Sequence, residues 1–254
     1  MLATERREII NKTIQKKGEV KIKELKEMFP DVSGMTLRRD LNHLEEEGHI
    51  VRIWGGAKSI DHLKESKEKQ YSSRKTENIE AKVKIAKKAV DFIETGRSIF
   101  LDSGTTVMCL AEIIPDKDLS IITSGPNIGM ELIDKNNPSV TLIGGQLNRN
   151  NISVSGANSL KFIENINIDM AFMATSGFSL ESGFTSGNYN EGQLKRKIID
   201  KARKVMMLMD LSKIDKNMPF TFSQLDDIDI LICEDEPESE IKKVLKEKNI
   251  DIKS

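Results

Sequence analysis

Three leucines recur at helical spacing near the N-terminus, just after a short polar turn. They are Leu37, Leu41 and Leu44. Pro30 and Asp31 predict the turn, and Ser33 can cap the helix by accepting a backbone N–H three residues on. Gly48 is placed to end the helix, because glycine is common just past a helix C-terminus. The pattern therefore predicts an amphipathic helix whose leucine face packs into a core.

The opposite face of this helix carries polar and cationic groups. Met35, Arg39 and Asn42 lie opposite the leucines at about 100° per residue, with Thr36 and Arg38 on the flanks. Guanidinium, amide and hydroxyl groups are those that contact DNA phosphates and base edges. The alternative is a surface helix whose arginines form ion pairs in solvent, and the helix alone leaves both possibilities open.

The flanking residues favour DNA binding. Upstream, apolar residues at helical spacing predict two further helices on either side of the helix breaker Gly18. Downstream, Ile50, Arg52 and Ile53 alternate as a short strand that leads into a glycine turn. Three helices followed by a small hairpin make a winged helix-turn-helix. Arg52 then lies on the wing, where a cation can reach a backbone phosphate.

The run from Arg6 to Ala57 resembles the DeoR family of bacterial transcriptional regulators. The resemblance rests on Thr36-Leu37-Arg38-Arg39-Asp40-Leu41 and Gly55-Gly56-Ala57, with Gly18, Val20, Glu24-Leu25, Phe29, Val32-Ser33, Leu44, Gly48, Ile50 and Arg52. Gly34 departs from the family pattern, because a helix former is expected there. DNA contacts are therefore predicted at Ser33, Met35, Thr36, Arg38, Arg39, Asn42 and Arg52.

Charge is unevenly distributed along the 254 residues. Residues 1–75 hold 17 Lys and Arg against 13 Asp and Glu, whereas the rest holds 22 against 27. A net basic N-terminal part followed by a net acidic remainder fits a DNA-binding domain joined to a second domain. A helix-turn-helix can also serve as a protein-docking module, but the exposed Arg38-Arg39 pair argues against that alternative.

After a polar stretch, strands alternate with helices to the end of the chain. The predicted domains are 1–57, a linker at 58–76 and an α/β domain at 77–254 built around a largely parallel sheet. Strands are expected at 98–101, 119–123, 139–143, 168–174, 204–209 and 229–233. Met206, Met207 and Met209 fall in a strand buried on both faces, which makes them core residues.

Small residues follow several of these strands, where ligands bind in such sheets. Asp102, Ser103, Gly104, Thr105 and Thr106 join a strand end to a helix start, where backbone N–H groups favour an anion. An ordinary capped turn is the alternative. Further strand ends carry Thr123-Ser124-Gly125-Pro126-Asn127 and Gly144-Gly145, and Lys195-Arg196 lie on a nearby helix. Together these features favour a pocket for a small anion.

The resemblance to the DeoR family extends over this half. It rests on Phe100 to Thr106, Leu142 to Gly145, Gly156, Lys195-Arg196 and Asp210 to Lys213. It implies a sensor domain that resembles ribose-5-phosphate isomerase and CoA-transferase folds and binds a phosphorylated sugar or polyol. The implied effector contacts are Asp102, Ser103, Gly104, Thr105, Thr106, Gly145, Lys195 and Arg196, followed by Asn127 and Lys213. Ser124-Gly125 and Gly192 depart from the family pattern, which leaves the identity of the sugar open.

The sequence shows few signs of membrane insertion, metal binding or catalysis. No apolar run reaches the ~20 residues that span a bilayer, so a cytoplasmic protein without a membrane partner is expected. Cys109 and Cys233 are flanked by apolar residues and are expected to be buried, and the histidines show no metal spacing. No cofactor, metal or catalytic residue is predicted.

Two functions remain at this stage. The first is a non-enzymatic repressor of a carbohydrate operon that binds operator DNA as a homo-oligomer and is released by a phosphorylated metabolite. The alternative is a sugar-phosphate isomerase-like enzyme that carries a DNA-binding domain. It would need a general base, for which Asp102 is available. The glycine-rich lysine segment expected of such isomerases is missing from the sequence.

Overall fold

The chain forms two compact units, residues 1–67 and 68–254. The computed structural model describes residues 3–53, 55–59 and 70–254. Of the predicted linker 58–76, residues 60–69 lie outside the described residues. Its two ends belong to regular structure, because Lys58 and Ser59 close a strand and residues 71–76 form a helix.

The N-terminal unit is a helical core with a small antiparallel sheet. Its elements are α1 (Ala3–Lys17), β1 (Glu19–Lys21), α2 (Ile22–Met28), α3 (Gly34–Glu46), β2 (Ile50–Ile53) and β3 (Gly56–Ser59). The strand order is β1-β3-β2, so β1 adds a strand to the predicted hairpin. The glycine turn was expected to extend through Ala57, but Gly56 and Ala57 already pair with β1 and β2.

The predicted leucine face of α3 is the centre of this unit. Leu37, Leu41 and Leu44 are buried against Ile10 and Ile14 of α1 within one apolar cluster. Gly18 and Gly48, which follow α1 and α3, have φ angles of 77° and 75°. Residues with a Cβ rarely adopt that conformation, which explains why both helices stop at glycine. The predicted helix-turn-helix is confirmed.

The C-terminal unit alternates helices and strands. Its helices are α4 (Tyr71–Thr76), α5 (Ile79–Ala89), α6 (Thr105–Ile113), α7 (Pro126–Glu131), α8 (Ala157–Ile163), α9 (Tyr189–Lys201) and α10 (Ser239–Glu247). Its strands are β4 (Ser98–Leu101), β5 (Ser120–Thr123), β6 (Ser139–Leu142), β7 (Gln146–Asn148), β8 (Ser153–Ser155), β9 (Ile168–Ala174), β10 (Gly177–Ser179), β11 (Gly183–Ser186), β12 (Ala202–Leu208), β13 (Phe220–Ser223), β14 (Ile230–Ile232) and β15 (Asp251–Lys253). Short 3-10 turns occupy Val90–Phe92, Leu211–Lys213 and Leu225–Asp227.

A seven-stranded sheet in the order β15-β14-β12-β9-β4-β5-β6 organises this unit. All its strand pairs are parallel, as predicted. Ile99 and Leu101 face one apolar core and Phe100 the other, so the sheet is covered on both sides. Met206, Met207 and Met209 are buried, as are Cys109 and Cys233. The parallel arrangement brings the C-terminal ends of the strands to one edge.

Several short antiparallel strands were not predicted. β7 pairs with β8, and β11 pairs with both β10 and β13. Each has three or four residues and is rich in Ser, Gly, Thr or Asn, so it lacks the apolar run by which the longer strands are recognised.

Candidate functional sites

The solvent face of α3 presents the predicted DNA-reading groups. The side chain of Ser33 accepts a hydrogen bond from the Thr36 backbone N–H at 3.2 Å, which confirms the predicted cap. The Ser33 and Thr36 hydroxyls also lie 2.9 Å apart. Met35 is 67% exposed, and Arg38 and Arg39 are exposed as well. The structure thus brings these groups to one surface of the N-terminal unit.

Arg52 of β2 contacts α3. Its guanidinium Nη1 donates to Oδ1 of Asn42, and its backbone N–H donates to Oε1 of Glu45 at 2.8 Å. All three residues are exposed. Two predicted DNA contacts, one on the helix and one on the wing, therefore touch each other.

Asp40 holds α3 against α1. Nε of Arg6 donates to one of its carboxylate oxygens at 2.7 Å and Nη2 to the other at 3.2 Å, and both residues are buried. A bidentate guanidinium–carboxylate pair fixes direction as well as distance. The sequence showed Asp40 only as part of a motif, and its partner 34 residues away carried no signal.

In the C-terminal unit, Asp102 follows β4 and is 1% exposed. Its Oδ1 accepts from the backbone N–H of Ser103 at 2.9 Å, and its Oδ2 accepts from that of Ala174 at 3.0 Å. Oδ2 also accepts from the Lys195 ammonium. The carboxylate was expected to contact the effector. Instead, it joins the ends of β4 and β9 to helix α9.

Lys195 is equally enclosed. Its ammonium donates to the carbonyl oxygen of Ala174 at 2.8 Å and lies 3.4 Å from Oε1 of Glu191, one helical turn earlier. Glu191 in turn accepts from the Asn151 amide, and Asn151 accepts from the Ser153 hydroxyl at 2.7 Å. Glu191 and Asn151 were not among the predicted site residues, although the spacing of four residues between Glu191 and Lys195 is visible in the sequence.

The structure does not bring Arg196 to this cluster. Its guanidinium pairs with Asp227 at 2.7 Å and with Asp200 at 2.9 Å, and its side chain is 45% exposed. Consecutive helical residues point about 100° apart, and here Lys195 faces Asp102 whereas Arg196 faces Asp200 and Asp227. The expectation of a paired basic contact is replaced by a single buried lysine.

The predicted anion loop begins helix α6. A Cβ on Gly104 would lie 2.6 Å from the Cβ of Ala174, so the loop can approach β9 only with glycine. Thr105 and Thr106 are 6% exposed and form the first turn. N–H groups in a first turn have no partner within the helix, which makes them available to an anion. Ser103 is buried beside this turn.

Asn127 and Gly145 occupy the next strand ends. The Asn127 amide nitrogen lies 2.6 Å from the Tyr71 hydroxyl oxygen, and its Oδ1 is buried without a hydrogen-bond partner. Burial of Tyr71 raises its pKa to about 12. Gly145 has a φ of 152°, and a Cβ there would lie 2.3 Å from the Ser159 hydroxyl, so its role is to allow a tight turn. Tyr71 was missed because it fell in the predicted linker.

Two ammonium groups lie near Asp210, which follows β12: that of the buried Lys82 and that of the half-buried Lys213. Lys213 is 3.8 Å from Oδ2 of Asp210, and Lys82 donates to the carbonyl oxygen of Glu77 at 2.6 Å. Burial lowers the pKa of both lysines, and the charge of Lys213 lowers that of Lys82 further. Burial raises the pKa of the Cys109 thiol in α6, and the charge of Lys82 opposes that rise. A cationic region therefore adjoins α6, and Lys82 was not among the predicted site residues.

Asp210 links this region to the start of α5. Its Oδ1 accepts from the side-chain amide of Asn78 at 3.1 Å, and the same amide donates to the Ser212 hydroxyl at 2.9 Å. Asn78 has a φ of 51°, in the left-handed region that asparagine tolerates better than most residues. The segment before α5 is thus hydrogen-bonded to Asp210 and to the 3-10 turn that contains Lys213.

Two further features bear on function. Within the described residues, no helix combines the length and apolarity that a membrane span requires. The same residues contain no group of three or more His, Cys, Asp and Glu side chains arranged to hold a metal ion.

Comparison with known proteins gives matches over both units. A family model described as a DeoR-like helix-turn-helix domain matches residues 6–62, and one described as the DeoR C terminal sensor domain matches residues 77–235. The glycerol-3-phosphate regulon repressor of Escherichia coli (strain K12) is 30% identical over 253 residues, covering 99% of each chain. The HTH-type transcriptional regulator GlpR of Haloferax volcanii is 36% identical over 204 residues, covering 80% of this chain and 78% of its own.

Solved structures resemble part of the chain at a greater distance. Ribose 5-phosphate isomerase A from Methanocaldococcus jannaschii is 17% identical, with a TM-score of 0.41 over 55% of this chain and 56% of its own. That likeness is too remote to assign an activity.

Proposed function

The chain belongs to the DeoR family of transcriptional regulators, and on this premise we propose that it represses a carbohydrate operon and leaves its operator when a phosphorylated sugar or polyol binds. The observation that carries the effector half is the cationic region beside α6. Lys82 is buried there, and Lys213 is half-buried with its ammonium 3.8 Å from Oδ2 of the buried Asp210. Buried ammonium groups gain most from a dianionic partner that replaces lost water.

The DNA half rests on the exposed face of α3 and on Arg52. Arg38→Ala/Arg39→Ala should abolish preference for an operator, because each base-contacting arginine contributes about 1–3 kcal/mol of discrimination. Arg203→Ala/Lys243→Ala removes equal charge from exposed sites of the other unit and should leave binding unchanged. Fluorescence anisotropy with a duplex selected from a random library on the full chain measures both. Unchanged binding by the α3 variant would contradict this assignment.

The effector is proposed to lie with its phosphate toward Lys213 and the first turn of α6. The backbone N–H groups of Gly104, Thr105 and Thr106 and the hydroxyls of Ser103, Thr105 and Thr106 supply donors on one side. Asn127 supplies a buried carbonyl oxygen that lacks a hydrogen-bond partner in the described structure and suits a sugar hydroxyl. Asp102 and Lys195 are occupied by each other, so they support the loop rather than bind the phosphate.

A thermal-shift series tests the effector class. The probes are glycerol 3-phosphate with glycerol, fructose 1-phosphate with fructose, and inorganic phosphate. Stabilisation by at least one phosphorylated member and not by its parent is expected, because the anion provides the dominant contact. If the unphosphorylated compounds stabilise the chain equally well, the anion site is wrong.

A regulatory role without turnover is proposed over the isomerase alternative. The candidate base, Asp102, is 1% exposed, and both of its oxygens already accept hydrogen bonds, from two backbone N–H groups and an ammonium. Incubation of the full chain with ribose 5-phosphate should yield no ribulose 5-phosphate. Turnover that is lost in Asp102→Asn would support the enzyme instead.

Self-association is also proposed. One helix-turn-helix covers a single half-site, and specific regulators of this kind pair two copies about one helical turn of DNA apart. Light scattering at micromolar concentration should give at least twice the 28.6 kDa chain mass. A monomer with and without operator duplex would contradict it.

A further inference from the structure

Three exposed polar side chains form one cluster where α3 meets the wing. Arg38 and Asn42 are four residues apart on α3 and so lie on the same side of the helix. Asn42 accepts a hydrogen bond from the guanidinium of Arg52, and Arg38 and Arg52 line one cleft. Arg39 does not line it, because it points about 100° away from Arg38.

We propose that Arg38, Asn42 and Arg52 form a clamp for one DNA backbone phosphate, in which Asn42 positions Arg52, and that Arg39 is the arginine left to read a base. This assignment rests on the proposed operator binding and names the task of each residue within it. Two guanidiniums around one cleft present several N–H donors to the same anion, an arrangement that suits a phosphate.

The contact to Arg52 limits what Asn42 can recognise. Asparagine reads adenine with both ends of its amide, accepting from N6 and donating to N7. Here Oδ1 already accepts from Arg52, and the guanidinium beside it repels another N–H donor. The remaining Nδ2 is a donor only, so the amide no longer offers the acceptor and donor pair that reads adenine.

The wing is held in place for this task. The backbone N–H of Arg52 donates to Oε1 of Glu45, one helical turn beyond Asn42, at 2.8 Å. The cleft also includes Gly55 and Gly56, and glycines permit a close approach of the DNA backbone. Gly56 itself must be glycine, since a Cβ would lie 2.3 Å from the carbonyl oxygen of Val20.

The test measures binding of single and double variants to two duplexes of equal length by anisotropy over a salt series. One duplex is selected from a random library on the full chain, and the other has a mixed, unselected sequence. Arg38→Ala and Arg52→Ala should each weaken both duplexes by a similar factor and lower the slope of log affinity against log salt by about 1. Arg39→Ala should weaken the selected duplex alone by about tenfold or more.

Asn42→Ala separates positioning from direct readout. The variant should bind both duplexes more weakly by a similar factor. It should have no further effect on affinity in an Arg52→Ala background, because Asn42 acts through the Arg52 guanidinium. The thermal midpoint should not change, since Asn42 is exposed. Loss confined to the selected duplex, or independent effects of Asn42→Ala and Arg52→Ala, would overturn the clamp. Failure of the wild-type chain to bind either duplex would instead refute the proposed function.

Discussion

At the scale of single residues, two neighbouring cations on α9 have opposite surroundings. The side chain of Lys195 is 5% exposed and lies between carboxylates, whereas that of Arg196 is 45% exposed. Lys195→Met should lower the free energy of unfolding by about 3–5 kcal/mol, because it leaves Asp102 buried beside Glu191 without a counter-charge. Arg196→Met, the matched control, should change it by about 0–1 kcal/mol. Urea unfolding followed by circular dichroism measures both.

A second pair of variants isolates the cause of that loss. Asp102→Asn/Lys195→Met removes both charges, so it should be more stable than Lys195→Met alone. Equal destabilisation by Lys195→Met and Arg196→Met would mean that the Asp102–Lys195 contact does not support the fold.

We expect effector binding to depend on pH through the protonation of Lys213. Burial lowers its pKa in the free protein, and a bound phosphate would raise it. Well below the lowered pKa, Lys213 is charged with or without effector, so affinity is at its full value. As the pH rises through that pKa, binding must take up a proton and affinity falls.

Calorimetric titration from about pH 7 to about pH 10 checks this dependence, since the second ionisation of a phosphate is complete in that range. Lys213→Arg stays charged throughout and should retain only the smaller decline contributed by Lys82, whose pKa is also lowered by burial. An identical decline in wild type and Lys213→Arg would exclude Lys213 as a phosphate contact.

At the scale of elements, the loop between β4 and α6 depends on close approach to β9. Gly104→Ala would place a Cβ 2.6 Å from that of Ala174, so the first turn of α6 must shift. We expect a loss of stability of about 1–3 kcal/mol and weaker binding of whichever phosphorylated probe stabilises the wild type.

Gly144→Ala is the control for this element, because a Cβ at Gly144 meets nothing within 4 Å. It should leave both the thermal midpoint and effector affinity nearly unchanged. If Gly104→Ala binds the probe as tightly as the wild type does, the first turn of α6 is not part of the effector site.

At the scale of the whole molecule, effector and operator must be coupled through a difference in affinity between two states. Such coupling is typically about 1–3 kcal/mol, which is a roughly 5–150-fold change in operator affinity. Thr105→Ala/Thr106→Ala should bind operator as the wild type does but show a smaller fall on addition of the stabilising probe. Anisotropy titrations with and without probe measure the ratio, with Thr141→Ala on the edge strand β6 as control.

If the probe lowers the operator affinity of the Thr105→Ala/Thr106→Ala variant as much as it lowers that of the wild type, neither hydroxyl takes part in the coupling. Loss of operator binding in the absence of probe would point to damage to the fold instead. A thermal midpoint measured on the same sample distinguishes the two.

Features set by local periodicity could be predicted from the sequence. Leu37, Leu41 and Leu44 show the helical repeat of α3, and the apolar runs at β4, β9 and β12 show strands buried on both faces. Gly18 and Gly48 mark helix ends because their backbone conformation disfavours a Cβ. The family resemblance added the class of effector.

Only the tertiary structure decided what each polar side chain does, because contact partners lie far apart along the chain. Asp102 meets Lys195 across 93 positions, and Tyr71 meets Asn127 across 56. Lys195-Arg196 read as one basic pair in the sequence, yet the rotation of α9 buries the first and exposes the second. Periodicity reports which face of an element is buried. The particular group that satisfies a buried charge depends on how distant elements pack, and that information is carried by no single stretch of sequence.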